Sequence, residues 1–214
     1  MENNKKKIVI IGAGGHAKSI IDSIEQAGEY RIEGFVEKKE SDFIYREYSC
    51  IGIDTDLKKI YESGVKCAVV AIGYMGHGKT REYLYTQLKD IGYELPVIAD
   101  RSSIIANDVI VGEGTFIGKG VIINSDAQIG NMCIINSGAI IEHDCKVGDY
   151  SHVSVGAVMC GESVIKDRVF VGANSTLNQG VAVETSAIIG AGAVVTKNVA
   201  GGITVVGVPA RTTS

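Results

Sequence analysis

The stretch Ile129-Gly130-Asn131-Met132-Cys133-Ile134-Ile135-Asn136-Ser137-Gly138-Ala139-Ile140-Ile141 decides the fold of most of the chain. It repeats a six-residue unit in which an aliphatic residue (Ile129, Ile135, Ile141) is followed four places later by a small one (Cys133, Ala139, Cys145). Stepping outward by six, the aliphatic place runs without an insertion from Ile105, Val111, Ile117 and Ile123 to Ile189 and Val195. The small place keeps step from Val109 and Thr115 to Ala193 and Val199. A hexapeptide period of this length predicts a parallel β-helix, in which no coil buries its apolar face without its neighbours. Three hexads make one coil, so residue i stacks on i+18, one strand spacing of about 4.8 Å away.

Composition agrees with that division. Residues 98–214 hold 34 Ile and Val but a single leucine, Leu177, which favours strands over helices. Residues 1–97 hold 14 of the 21 Lys and Arg and 15 of the 25 Asp and Glu. Two domains are therefore expected, 1–97 and 98–214. In the first, residues 8–11 read as a buried strand, followed by a helix with Ala17, Ile20, Ile21 and Ile24 on one face that stops at Gly28. Residues 32–36 and 67–72 read as further strands and 79–91 as a helix, giving an α/β, Rossmann-like domain with parallel strands. A net charge of −4 argues against a general grip on nucleic acid, and no apolar run approaches the roughly 18 residues of a membrane span. Five cysteines without a CxxC pair fit reduced thiols and a cytoplasmic location.

Gly12-Ala13-Gly14-Gly15-His16-Ala17 joins the first strand to the first helix and fits a loose dinucleotide fingerprint, with Glu33 or Glu37 about 20 residues on. Backbone N–H groups at such a helix start favour a phosphate. Phosphate or nucleotide-sugar binding, NAD binding and a purely structural turn all remain readings of the loop. His16 is either a solvent-facing residue or a donor to a ligand. Gly73-Tyr74-Met75-Gly76-His77-Gly78-Lys79 follows another strand's carboxyl end, the usual ligand edge.

In the repeats, His143 takes an outward place between Glu142 and Asp144, and its column reads Ser125, His143, Gly161, Gln179, Lys197. Imidazole is largely neutral at pH 7 and accepts a proton, and a glycine one coil away leaves a backbone N–H open to an oxyanion. Asp144 assists His143 only if the chain bends there, because neighbours on a strand point to opposite faces. His152 shares a column with Ile134, Phe170 and Ile188 and reads either as packing at a subunit seam or as an active-site hydrogen-bonder. No further ligands cluster with the histidines, so no metal site is expected. Apolar outward residues (Ile110, Phe116, Ile122, Ile134, Phe170) point to a homotrimer.

Taken together, the opening loop Gly12–Lys18, the stretch from Glu142-His143-Asp144-Cys145 to Ser151-His152-Val153-Ser154-Val155-Gly156-Ala157, and the closing Gly207-Val208-Pro209-Ala210 resemble a bacterial family. These are the sugar acyltransferases that place a nucleotide-sugar-binding domain before a left-handed β-helix, namely the UDP-4-amino-sugar N-acetyltransferases and sialic-acid O-acetyltransferases. The resemblance implies His143 as general base, Asp144 as its partner, and His152, Gly161, Ala173 and Ala191 as contacts of acetyl-CoA. It also implies a trimer with the acetyl-CoA groove between neighbouring helices, and Gly15, His16, Glu37 and Gly73 as contacts of a nucleotide amino sugar. The sequence departs from the family pattern at Glu37-Lys38, where an acidic pair is expected, and at Tyr74, where asparagine is common. The expected activity is acetyl transfer to the 4-amino group of a UDP-linked amino-deoxy sugar. O-acetylation of a sialic-acid-type sugar is the alternative, with a non-catalytic nucleotide-sugar-binding protein and a nicotinamide oxidoreductase as more distant rivals.

Overall fold

The computed structural model describes residues 5–39, 42 and 44–213. The chain forms two compact units, one comprising Met1–Gly73 with Lys79–Arg101 and the other Tyr74–Gly78 with Ser102–Ser214.

The first unit is built on a five-stranded sheet of order β3-β4-β2-β1-β5, with β1 Lys6–Ile11, β2 Tyr30–Glu37, β3 Ile44–Tyr45, β4 Tyr48–Ile53 and β5 Cys67–Val70. All neighbours pair in parallel except β3 and β4, a short antiparallel hairpin. Ile8 to Ile11 are all buried, as a central parallel strand covered on both faces requires. Helix α1 (Gly15–Ala27) buries Ala17, Ile20, Ile21 and Ile24, the stripe anticipated from their spacing. It ends where Gly28 turns left-handed (φ 68°) and its N–H bonds the Ile24 carbonyl. Helices α2 (Leu57–Glu62) and α3 (Thr80–Ile91) follow β4 and β5. The buried Arg81 of α3 donates to the carbonyls of Val70 (3.1 Å) and Ile72 (2.6 Å), fixing the carboxyl end of β5.

In the second unit, two-residue strands recur every six residues from Ile104–Ile105 to Val194–Val195. Each pairs in parallel with the strand 18 residues away: Ile122 with Ile140, Ile134 with His152, Lys146 with Val164. Three sheets result, and we name them by one member each: the Ile140 sheet, the Lys146 sheet and the His152 sheet. Every first-place aliphatic from Ile117 to Val195 is buried, and the small places fill the space between them, Cys133 and Cys145 included. Every sixth residue from Gly114 to Gly192 is left-handed, with φ between 53° and 68°. Met132, Tyr150, Glu162 and Arg168 adopt this conformation as well as the glycines, so the corner is imposed by the coil rather than by residue type. A last antiparallel hairpin, Val205–Val206 against Arg211–Thr212, closes the His152 sheet.

One expectation about the outward places needs correction. Ile110 is exposed, but Phe116 and Ile134 are buried within the single chain, so they do not argue for a partner subunit.

Candidate active site

The first unit carries a cleft of about 420 Å³ at the carboxyl ends of its strands. Ile11 and Gly12 after β1, Val36, Glu37 and Lys38 at β2, Asp54 after β4 and Ile72 after β5 form one part of its wall. Lys79, Thr80, Tyr83 and Leu84 at the start of α3 form the rest. Gly12 is held at φ 98° with its N–H on the Val36 carbonyl, and a Cβ there would lie 2.9 Å from Ile72 Cγ1. Only glycine fits that place without a shift. The Glu37 carboxylate accepts the Ala13 N–H and so ties the glycine loop to the end of β2. Of the four residues expected to hold the nucleotide sugar, Glu37 lines this cleft. Gly15 is exposed at the first position of α1, His16 is half-buried beside it, Gly73 is exposed next to the lining Ile72, and none of the three belongs to the wall. Lys79 closes the Gly73–Lys79 stretch read as a ligand edge, whereas Asp54 and Tyr83 were not singled out from the sequence; they come from the end of β4 and the start of α3, with no shared motif.

In the second unit, His143 lies on a corner between the Ile140 and Lys146 sheets. Asp144 is the left-handed residue of that corner (φ 61°), which supplies the bend required for neighbouring side chains to meet. Its Oδ2 stands 2.8 Å from His143 Nδ1. A carboxylate only accepts, so Nδ1 carries the proton and Nε2 keeps its lone pair. The Asp144 hydrogen bond, followed by the charges of Asp144, Glu142 and Glu162, holds the His143 pKa above the ordinary imidazole value. Gly161 sits one coil away with its Cα against the ring: an added Cβ would fall 2.7 Å from both Cε1 and Nε2 of His143. The Glu162 N–H bonds the His143 carbonyl, fixing the two coils, while no backbone carbonyl among the described residues takes the Gly161 N–H. A half-exposed imidazole thus lies against a buried glycine of the next coil, whose N–H has no backbone acceptor among the described residues.

The remaining predicted residues occupy other places. His152 is buried in the His152 sheet, its ring edge-on to Phe170 at 5.3 Å. Its Nδ1 donates to the Tyr74 carbonyl, and its Nε2 accepts from Asn136 Nδ2 at 3.2 Å. Tyr74 in turn donates its hydroxyl to the Arg168 carbonyl at 2.8 Å, and Gly76 lies against Ile188 and Phe170. His152 thus fastens the Tyr74–Gly78 segment to the coils, a task that explains why tyrosine and glycine stand there. His77, in the same segment, is exposed. Ala173 and Ala191 stack one coil apart at the corner between the His152 and Ile140 sheets, a different corner from that of His143.

Comparison with known proteins places this arrangement. The PglD N-terminal domain matches residues 7–88, and the hexapeptide repeat of succinyl-transferase matches residues 163–197. PerB from Caulobacter crescentus, solved in complex with CoA and GDP-perosamine, is 32% identical over 97% of each chain, with a TM-score of 0.91. The chain belongs to the bacterial sugar acyltransferase family. A GDP-perosamine N-acetyltransferase variant from the same organism is 31% identical with the same coverage and TM-score. The acetyltransferase domain of PglB from Neisseria gonorrhoeae, solved with acetyl coenzyme A, is 24% identical over 98% of this chain and all of its own, with a TM-score of 0.89, and shares the fold. No curated protein matches the chain. The acyltransferase fold of this family is an α/β domain followed by a left-handed β-helix, and both parts are present here. No helix among the described residues is long and apolar enough to cross a membrane.

Proposed function

We propose that this acyltransferase moves the acetyl group of acetyl-CoA to the amino group of a nucleotide-linked amino-deoxy sugar by direct transfer, with His143 as general base. The observation that carries the reading is the trio at one corner: Asp144 fixing the His143 tautomer, Nε2 left as acceptor, and the Gly161 N–H beside it. The attacking nitrogen gives its proton to Nε2 as it bonds the thioester carbonyl carbon. Negative charge develops on the carbonyl oxygen, where the Gly161 N–H stabilises it. On collapse the carbon–sulfur bond breaks, and the imidazolium returns the proton to the departing thiolate. The products are the acetamido sugar and CoA with a free thiol.

The 4-amino position is the acceptor implied by the family resemblance, and the use of a GDP sugar by the Caulobacter relative supports a nucleotide-linked substrate. The cleft beside the glycine loop is the proposed nucleotide site, with Lys38 and Lys79 supplying positive charge for the diphosphate. Gly15 and His16 are kept as contacts at the start of α1, and Gly73 as a contact at the end of β5. Ala173 and Ala191 are the proposed contacts of the CoA chain, contributed by a neighbouring copy in a homotrimer. Acetyl-CoA and nucleotide sugars are cytoplasmic metabolites, so the proposed reaction belongs in the cytoplasm. An assay that follows thiol release with a nucleotide amino sugar tests the assignment. His143→Ala is expected to fold normally, since the side chain is half-exposed, and to lose about 10²–10⁴-fold in turnover. Unchanged turnover would remove His143 from the mechanism, and release with a free sialic acid alone would favour O-acetylation.

A further inference from the structure

The proposed nucleotide cleft holds one carboxylate that the fold does not use. Asp54 opens the short turn Asp54–Asp56 after β4 and lines the cleft. The turn is capped by its neighbour, since Asp56 Oδ2 accepts the Ile53 N–H at 3.0 Å. Asp54 engages the protein through its backbone carbonyl, which accepts from Gln87 Nε2 at 3.3 Å; among the described residues its carboxylate has no hydrogen-bond donor and no ion pair. It is half-buried, and desolvation raises its pKa, with Lys38 opposing. Tyr83 lends an aromatic ring to the same cleft, and Ile11, Val36, Ile72 and Leu84 make the rest of it largely apolar. A partly exposed carboxylate that no protein donor engages, set at the wall of such a cleft, presents both oxygens to the donors of a ligand.

Resting on the nucleotide-site reading above, we propose that Asp54 reads the base of the nucleotide and selects guanine. The argument is one of complementary edges. An ionised carboxylate only accepts, and it does so best from two parallel N–H groups. Guanine offers two adjacent donors, N1–H and the N2 amine. Uracil offers a single N3–H flanked by two carbonyl oxygens, so a carboxylate that takes the N–H sets its second oxygen against a carbonyl. Adenine and cytosine place their amines beside a ring nitrogen that accepts, with the same conflict. The position suits the role, because β4 lies beyond β2 on the sheet, away from the glycine loop that follows β1. Phosphates at the loop and a base near Asp54 would span the carboxyl ends of β1, β2 and β4 in that order. The substrate class that follows is a GDP-linked amino sugar, in place of the UDP sugar implied by the family motifs.

Calorimetric titration of the full chain with GDP, UDP and ADP tests this without knowledge of the sugar. The expected result is that GDP binds about tenfold or more tightly than UDP or ADP, the discrimination typical of one bidentate pair. In Asp54→Asn the two oxygens become one oxygen and one amine, so GDP should weaken by about tenfold or more while UDP stays level or gains. Equal binding of GDP and UDP by the unsubstituted protein would overturn the base selection and leave the nucleotide site standing. An equal fall for all three nucleotides in Asp54→Asn would also overturn it, since that pattern belongs to a carboxylate on the ribose. Absence of binding by every nucleotide would remove the nucleotide site itself. The comparison among nucleotides on the unsubstituted protein decides the matter even if the variant fails to fold.

Discussion

At the residue scale, the behaviour of His143 depends on a backbone angle one position away. Asp144 reaches the ring because it is the left-handed residue of its corner, and its carboxylate is the first cause of the raised His143 pKa. A protonated imidazole cannot act as a base, so the raised value moves the acid limb of activity above the usual 6.5 of histidine. Asp144→Asn keeps an acceptor for Nδ1–H but removes the charge. The His143 pKa should then fall, with Glu142 and Glu162 sustaining part of the elevation. An NMR titration of the ring protons measures this apart from the titration of the substrate amine; a pKa that stays put or rises in the variant contradicts the assignment of cause. The trio was legible in the sequence because stacking by 18 is fixed once the hexad register is known. The full wall of the cleft in the first unit was not. Glu37 is marked by its spacing to the glycine loop, but Asp54 after β4 and Tyr83 on α3 lie in other segments, and nothing in their spacing announces that they share its wall.

At the scale of elements, the β-helix and the α/β unit differed in how readily they could be read. The hexad strands are two residues long and carry little propensity of their own, yet sixteen in one register leave no alternative packing. The strand β4 and helix α2 were missed because their patterns are weak: β4 is half-exposed along its length, and α2 has six residues with two buried. The Tyr74–Gly78 segment was read as a ligand loop because the bonds that fix it join residues 78 and 94 positions apart. The coils also make a quantitative prediction. Leu177 is fully buried and pairs through its strand with Met159 on one side and Val195 on the other. Leu177→Ala removes side-chain volume from a stack whose neighbours are held by their own ladders and collapse little. A loss of about 2–5 kcal/mol is expected. Chemical denaturation followed by circular dichroism gives the value, and a cost under about 1 kcal/mol would mean that the coil repacks around the gap.

At the scale of the whole molecule, the corners of the β-helix bear on the proposal that the site is shared between copies. His143 and Gly161 share the corner between the Ile140 and Lys146 sheets, whereas Ala173 and Ala191 stack at the corner between the His152 and Ile140 sheets. In the proposed shared groove, one CoA chain meets both sets where the His143 corner of one copy faces the alanine corner of another. Three copies about a threefold axis use each corner once and close without leaving an unpaired face. Exposed Ile104 and Ile110, and the partly exposed Val155 in the alanine column, supply apolar surface for such contacts. Subunit mixing gives the sharpest test. His143→Ala lacks the proposed base, and Ala173→Trp fills the proposed CoA path, so each variant alone should be nearly inactive. When the two are unfolded together and refolded in equal amounts, some sites pair an intact His143 from one copy with an intact Ala173 from the next. Random assembly into trimers places about a quarter of the sites in that state, so about a quarter of the unsubstituted rate should return. If light scattering finds a monomer, or if mixing restores nothing while trimers form, both sets of residues serve one chain and the shared groove is wrong.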